Sequence, residues 1–271
     1  MTEDWRDCLD NREAVAAVAV DLSKAFDSIC HNLLLAKLKA YGFSQSALDL
    51  VSSYLLGRKQ RVKLQGTCSS YSIVKAGVPQ GSLLGPLLFN IFINDLNFCA
   101  PSISLRLYAD DTTGYASDVS PAVLEFVINN DLRLLTTWFN LNYLAVNNPK
   151  TQAFRVGPCG YDYDLNLNGS EINICDSIKI LGVTIDSKLS FKEHITEQLK
   201  KAYSKASALR RIRRFIPTDI MVRLYKAFIL PHLEYCSPLL VGIGLVQSNR
   251  IEKANYYILR TLLSYAKSVP Y

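Results

Sequence analysis

Apolar positions alternate with polar ones in a few short stretches and recur at helical spacing through most of the remainder, so the chain reads as mixed helix and strand. The first clear stretch is Ala14-Val15-Ala16-Ala17-Val18-Ala19-Val20. Its valines suit a strand buried on both faces, while its alanines leave a helix as the competing reading. Ile103, Leu105 and Leu107 alternate with Ser104, Arg106 and Tyr108, which predicts a half-buried strand. Thr112, Thr113, Tyr115 and Ala116 carry a second strand back, making a hairpin that bends at Tyr108-Ala109-Asp110-Asp111. Residues 58–64 alternate and end near Gly66, and their expected hairpin partner is 71–76. Strands are also predicted over 152–156 and 177–186, with a loop and short strand over 157–168. Helical periodicity covers 32–41 before Gly42, 44–55 before Gly57, and 87–96 after Pro86. It returns over 121–144, with Leu124, Val127, Ile128, Leu132, Leu135 and Phe139 inward and Trp138 in the core. A further helix begins in 188–194. From Ile195 onward the pattern is helical, with Leu224, Phe228, Leu233 and Tyr235 as expected core and a last helix over 251–263.

Composition narrows the class. The chain has 271 residues, of which 49% are hydrophobic and 20% charged, as in a folded protein with a substantial core. A net charge of +6 and a pI near 8.9 lean towards a polyanionic partner. Cys8, Cys30, Cys68, Cys99, Cys159, Cys175 and Cys236 are scattered and form no CxxC pair, as are His31, His194 and His232. A zinc site or disulfide framework is therefore disfavoured, and a reducing intracellular setting is expected, with nucleus and cytoplasm not distinguished. Residues 1–13 are too acidic for a signal peptide, and the apolar runs at 14–20 and 83–93 are too short or too interrupted to span a bilayer.

The candidate chemistry sits where strands end. Asp21 follows the 14–20 run, and Asp110 and Asp111 stand at the hairpin bend. Asp21 could instead cap a short turn over 23–26, and an acidic bend could be a plain turn. Between them, Gly77-Val78-Pro79-Gln80-Gly81-Ser82-Leu83-Leu84-Gly85-Pro86 is a tight loop whose backbone can approach a ligand closely, or serve as a structural turn. Three carboxylates from two strands suit Mg²⁺, which favours few carboxylates, waters and substrate phosphates. Two such ions about 3.5–4 Å apart would activate an attacking hydroxyl and steady a leaving pyrophosphate. Arg58, Lys59, Arg61 and Lys63 could line a phosphate path or simply protect an edge strand. Lys200, Lys201, Lys205, Arg210, Arg211, Arg213 and Arg214 crowd one segment beyond what a solvated face needs, and phosphate backbone is their natural partner.

With these residues in place, the chain resembles the reverse transcriptase of non-LTR (LINE-like) retrotransposons. Val20-Asp21-Leu22-Ser23-Lys24-Ala25-Phe26-Asp27 is similar to that family's first palm motif and residues 77–86 to its second. Tyr108-Ala109-Asp110-Asp111 is similar to the third, residues 144–151 to the fourth, and Lys179-Ile180-Leu181-Gly182-Val183 to the fifth, the primer grip. The resemblance implies an α+β right-hand polymerase: a palm with an antiparallel sheet and flanking helices over 1–190, partial fingers at about 42–76, and a helical thumb over 191–271. It implies an RNA-directed DNA polymerase that takes an RNA template, a DNA primer and deoxynucleoside triphosphates, with two Mg²⁺ ions, or Mn²⁺ in their place. Asp21, Asp110 and Asp111 would hold the metals, and Lys150 would give a proton to pyrophosphate. Phe26 would act as a steric gate against a 2′-hydroxyl, while Gln80 and Gly81 would contact nucleotide and template. Leu181 and Gly182 would form the primer grip, and Arg58, Arg61, Lys200, Lys201, Arg210, Arg211, Arg213 and Arg214 would touch nucleic acid. A non-catalytic nucleic-acid-binding remnant, an intron maturase and an RNA replicase are the alternatives, and Phe26 argues against the last. The family carries triphosphate-gripping fingers strands before the first motif, whereas only twenty residues precede Asp21 here. Arg6 and Arg12 stand there among Glu3, Asp4, Asp7, Asp10 and Glu13, so poor extension by this chain alone is expected.

Overall fold

The structure, a computed structural model, describes residues 1–157, 161 and 163–263. Cys159, the parts of the expected 157–168 loop at 158–160 and 162, and the 264–271 end of the expected thumb lie outside the described residues. Backbone contacts divide the chain into two units, one formed mainly by 7–175 and the other by 2–6 together with residues from 176 onward.

In the first unit, Ala14–Val20 is a strand and not a helix. It lies in the middle of a five-stranded sheet whose order is Asn173–Cys175, Gln152–Val156, Ala14–Val20, Asp111–Asp118, Ser104–Tyr108. Neighbours on both sides satisfy its backbone, and its small and β-branched side chains are buried on both faces, which is why alanine's helix preference loses. The pairs are antiparallel except the outermost, where Gln152–Val156 and Asn173–Cys175 run parallel.

Ten helices can be labelled in chain order among the described residues. α1 (Thr2–Asp10) is followed in the first unit by α2 (Ala25–Ser28), α3 (His31–Ala40), α4 (Gln45–Leu55), α5 (Leu84–Ile93) and α6 (Pro121–Leu141). The side chain of Ser44 caps α4, accepting from the Ala47 amide at 3.4 Å. α6 packs on the two central strands through Leu124, Ile128, Leu132, Leu135 and Phe139, with Trp138 also buried. Asp131 is the exception on that inner face, fully buried and accepting from the Ser102 and Ile103 amides at 2.7 and 3.0 Å. It satisfies the entry of the Ser104–Tyr108 strand, so it fixes the hairpin from the end opposite its bend. Asp131→Ala should orphan both amides and cost about 2–6 kcal/mol at 1–3 kcal/mol per group. A urea midpoint unchanged from the wild type would contradict that role.

The basic hairpin departs from expectation. Lys59–Gln60 pairs with Ser72–Ile73 as predicted, but Lys63–Leu64 pairs instead with Thr67–Cys68 around a tight turn at Gln65-Gly66. Asp21 does not cap α2 either, because Lys24, in left-handed conformation, occupies that position.

The second unit holds α7 (Lys192–Ile212), α8 (Thr218–Phe228), α9 (Leu230–Glu234) and α10 (Leu245–Leu263). Here the expected single strand over 177–186 is a hairpin, Ser177–Ile180 against Val183–Asp186. Leu181 at φ 47 and Gly182 at φ 80 make its two-residue turn, a geometry glycine adopts at no cost and leucine rarely shows. Leu233 is buried as expected, whereas Phe228 and Tyr235 are 52% and 43% exposed, so they are not core. Among the described residues, no helix is long and apolar enough to cross a membrane.

Candidate active site

The acidic residues come together because of sheet register. Val20 pairs with Thr112 and Tyr108 with Asp111, so one further step along the antiparallel register sets Asp21 opposite Asp111. Ala109 and Asp110 form the turn between the outer strands, with Ala109 at φ 52, a left-handed conformation that costs an L-residue about a kcal/mol or more. Partial desolvation, followed by the Asp110 and Asp21 charges, pushes the Asp111 carboxyl above the usual carboxylate range. Charging this carboxylate is therefore harder in the folded chain than in the unfolded one. Its effect on metal-free stability is most favourable below the carboxylate range and fades as pH rises through the raised value. Among the described residues, no group of three or more His, Cys, Asp or Glu side chains stands close enough to hold a metal ion. The carboxylate oxygens of Asp21, Asp110 and Asp111 are the donor type that Mg²⁺ takes alongside waters and substrate phosphates.

Asp21 is held by the segment that follows α6. Its amide donates to Thr151 Oγ1 at 3.3 Å, and its carbonyl accepts from the Asn147 amide at 2.8 Å. Leu22–Ser23 pairs with Ala145–Val146 beside it. Lys150, exposed in the short 3₁₀ turn Asn148–Lys150, sits next to that anchor in sequence. Thr151, only 3% exposed, and Asn147 were not singled out by pattern, since their partner lies some 130 residues away.

The glycine-rich loop is stitched to the turn after Asp21. The Gly77 amide donates to the Ile29 carbonyl at 2.8 Å and the Val78 amide to the Phe26 carbonyl at 2.9 Å. A Cβ on Gly77 would stand 2.7 Å from the Asp27 backbone, so the approach admits only glycine. Gln80 Nε2 donates to Asp27 Oδ1 at 2.9 Å, and both side chains are exposed, as is Gly81. The Phe26 ring is half-buried and packs on Phe89 of α5, centroids 4.6 Å apart at 30°. The first unit therefore brings Asp21, Asp110 and Asp111 to one sheet end, and sets Phe26 of α2 beside the stitched loop that carries Gln80. Arg61 lies in the exposed hairpin over Tyr71, 4.8 Å from the ring centroid, while Arg58 is half-buried.

In the second unit, Leu181 and Gly182 form the hairpin turn, whose Leu181 carbonyl accepts from the Tyr235 hydroxyl at 2.6 Å. Lys200, Lys201, Arg210 and Arg211 are exposed on α7, whose buried residues include Ile195, Leu199, Ala202 and Ala206. Lys200 and Arg211 fall on nearly the same helical face, roughly 16 Å apart along the axis. Arg214 is exposed, but Arg213 is half-buried and donates to the Thr261 carbonyl at 2.5 Å, so its guanidinium is engaged in the fold.

Residues 1–185 match the family described as reverse transcriptase (RNA-dependent DNA polymerase). The RNA-directed DNA polymerase from mobile element jockey of Drosophila melanogaster is 30% identical over 243 residues, 84% of this chain and 26% of that protein. The probable RNA-directed DNA polymerase from transposon BS of the same species is 28% identical over 229 residues, 78% of this chain and 24% of that protein. The chain thus spans about a quarter of the length of these curated relatives. A solved telomerase from Candida albicans, in complex with a TWJ fragment of telomeric RNA, aligns at TM-score 0.50 and 13% identity over 98% of this chain and 48% of that one. That likeness is one of fold, an α+β polymerase fold.

Proposed function

This chain belongs to the reverse transcriptase family, and from that premise we propose that its first unit is the palm of an RNA-directed DNA polymerase whose chemistry is centred on Asp21, Asp110 and Asp111. The observation that carries the reading is the register that brings Asp21 opposite Asp111, together with an Asp111 carboxyl raised by partial burial and then by the Asp110 and Asp21 charges. Two divalent ions bound there would supply the charge that activates a primer hydroxyl and neutralises the leaving pyrophosphate. The protein's own part is placement. Thr151 and Asn147 fix the Asp21 backbone, and the stitched loop presents Gln80 and Gly81 to nucleotide and template. Lys150 is the candidate proton donor to pyrophosphate. Template RNA, primer DNA and deoxynucleoside triphosphates are the proposed partners. Residues 191–263 are proposed as a thumb carrying the exposed basic residues of α7, Leu181 and Gly182 as the primer grip, and Arg58 and Arg61 as fingers contacts.

Phe26 is the proposed discriminator between deoxy- and ribonucleotides. The half-buried ring is braced by Phe89 and so cannot yield freely to an extra hydroxyl. Phe26→Val is expected to raise the ratio of ribo- to deoxynucleotide incorporation on a defined template–primer. An unchanged ratio removes Phe26 from that role. The polymerase reading itself is tested by Mg²⁺-dependent primer extension, and a chain that binds template–primer but adds no nucleotide at any divalent-ion concentration would fail it.

A further inference from the structure

We propose that His31 is a positioning residue whose imidazole holds the nucleotide-side loop in register with the segment following Asp21. This rests on the polymerase reading above and assigns a residue to the nucleotide subsite that its sequence context does not reveal. His31 is 4% exposed at the start of α3, and its Nε2 lies 2.8 Å from the Gly77 carbonyl, 46 residues away. A carbonyl can only accept, so this contact requires the proton on Nε2. Gly77 is then held from both of its polar groups: the carbonyl by His31 and the amide by the Ile29 carbonyl. The Val78 amide on the Phe26 carbonyl and the Cys30–Ala76 bridge complete the seam. Phe26 and Gln80 thus stand on two segments joined by one short run of hydrogen bonds, in which His31 supplies the buried side-chain link and Gln80 on Asp27 an exposed one. The gap at Gly77 is too tight for any compensating shift towards Asp27, since even a methyl group would meet backbone at 2.7 Å. Loss of the imidazole bond should therefore let the loop move outward, carrying Gln80 away from the sugar and base it is proposed to meet. A misplacement near 1 Å is enough to cost on the order of 10²-fold in rate.

The test compares wild type with His31→Phe, which keeps a ring but removes the donor, and with His31→Gln, whose amide can restore it. Gly77→Ala displaces the same loop without touching His31. Single-nucleotide extension, template–primer affinity by fluorescence anisotropy, and amide hydrogen exchange of residues 76–83 are measured on the whole chain. His31→Phe and Gly77→Ala are expected to raise the nucleotide KM about tenfold or more, with template–primer Kd affected much less than KM and exchange of the loop amides accelerated. His31→Gln is expected to recover most of both effects, which a merely structural ring would not do. The proposal is overturned if the loop amides of His31→Phe exchange as in the wild type, or if KM is unchanged. It is also overturned if His31→Gln is as impaired as His31→Phe. Should the wild-type chain extend nothing, the polymerase reading falls, and the exchange arm alone decides whether His31 holds the loop.

Discussion

Asp110→Asn is expected to abolish nucleotide addition while leaving template–primer affinity within about twofold. The change replaces a carboxylate oxygen by an amide at the bend, where the side chain serves the metals and touches no phosphate in the proposed arrangement. Without that ligand, the charge developing on the attacking and leaving oxygens has no counter-charge, and removal of a single electrostatic stabiliser commonly costs on the order of 10²–10³ in kcat. The metal-free chain should lose no stability and gain a little, because Asp111 is relieved of one of the two carboxylates that raise its pKa. Two measurements therefore move in opposite directions: extension disappears, while the thermal midpoint without Mg²⁺ holds or rises. Substantial extension by Asp110→Asn would remove the carboxylates from the chemistry. A collapse of the thermal midpoint would mean that Asp110 serves the turn and not a metal.

Replacing Lys200, Lys201, Arg210 and Arg211 with glutamine should weaken template–primer binding and flatten its salt dependence. All four are exposed on α7, so the fold should tolerate the change. If each contacts one phosphate, the slope of log K against log salt falls by roughly 0.9 per residue on duplex DNA, up to about 3.6 for the set. Arg213 is left out because it is engaged with the Thr261 carbonyl, and its loss would mix a folding effect into a binding one. An unaltered slope would make this stretch a solvated helix face.

Much of the site could be read from the sequence because its signals are local. The Ala14–Val20 run, the alternation into Tyr108 and the return strand from Asp111 each declare themselves within a few residues, and the register between them follows from the sheet they build. The acidic groups stand at strand ends, where a break in pattern is easiest to see. What escaped was either a turn without its usual residue or a polar group whose partner is distant. The 177–186 segment reads as one strand because Leu181 is apolar and β-compatible, yet it takes φ 47 beside Gly182 and reverses the chain. Asp131 and His31 look like ordinary surface residues in helical patterns, but each is buried against backbone brought from 28 or more residues away. Phe228 and Tyr235 fit a core period and are exposed nonetheless, since periodicity marks a face without saying whether anything packs on it. α1 lies in an acidic stretch whose one buried aromatic, Trp5, gives no repeat to detect.

The central claim is tested most directly by oligo(dT) extension on poly(rA) with the purified chain, across a titration of Mg²⁺ and with each deoxynucleotide supplied separately. The account predicts addition of thymidylate alone, strictly dependent on Mg²⁺ or Mn²⁺. Extension independent of divalent metal, addition that ignores the template, or binding of the hybrid with no addition at saturating metal and nucleotide would contradict it.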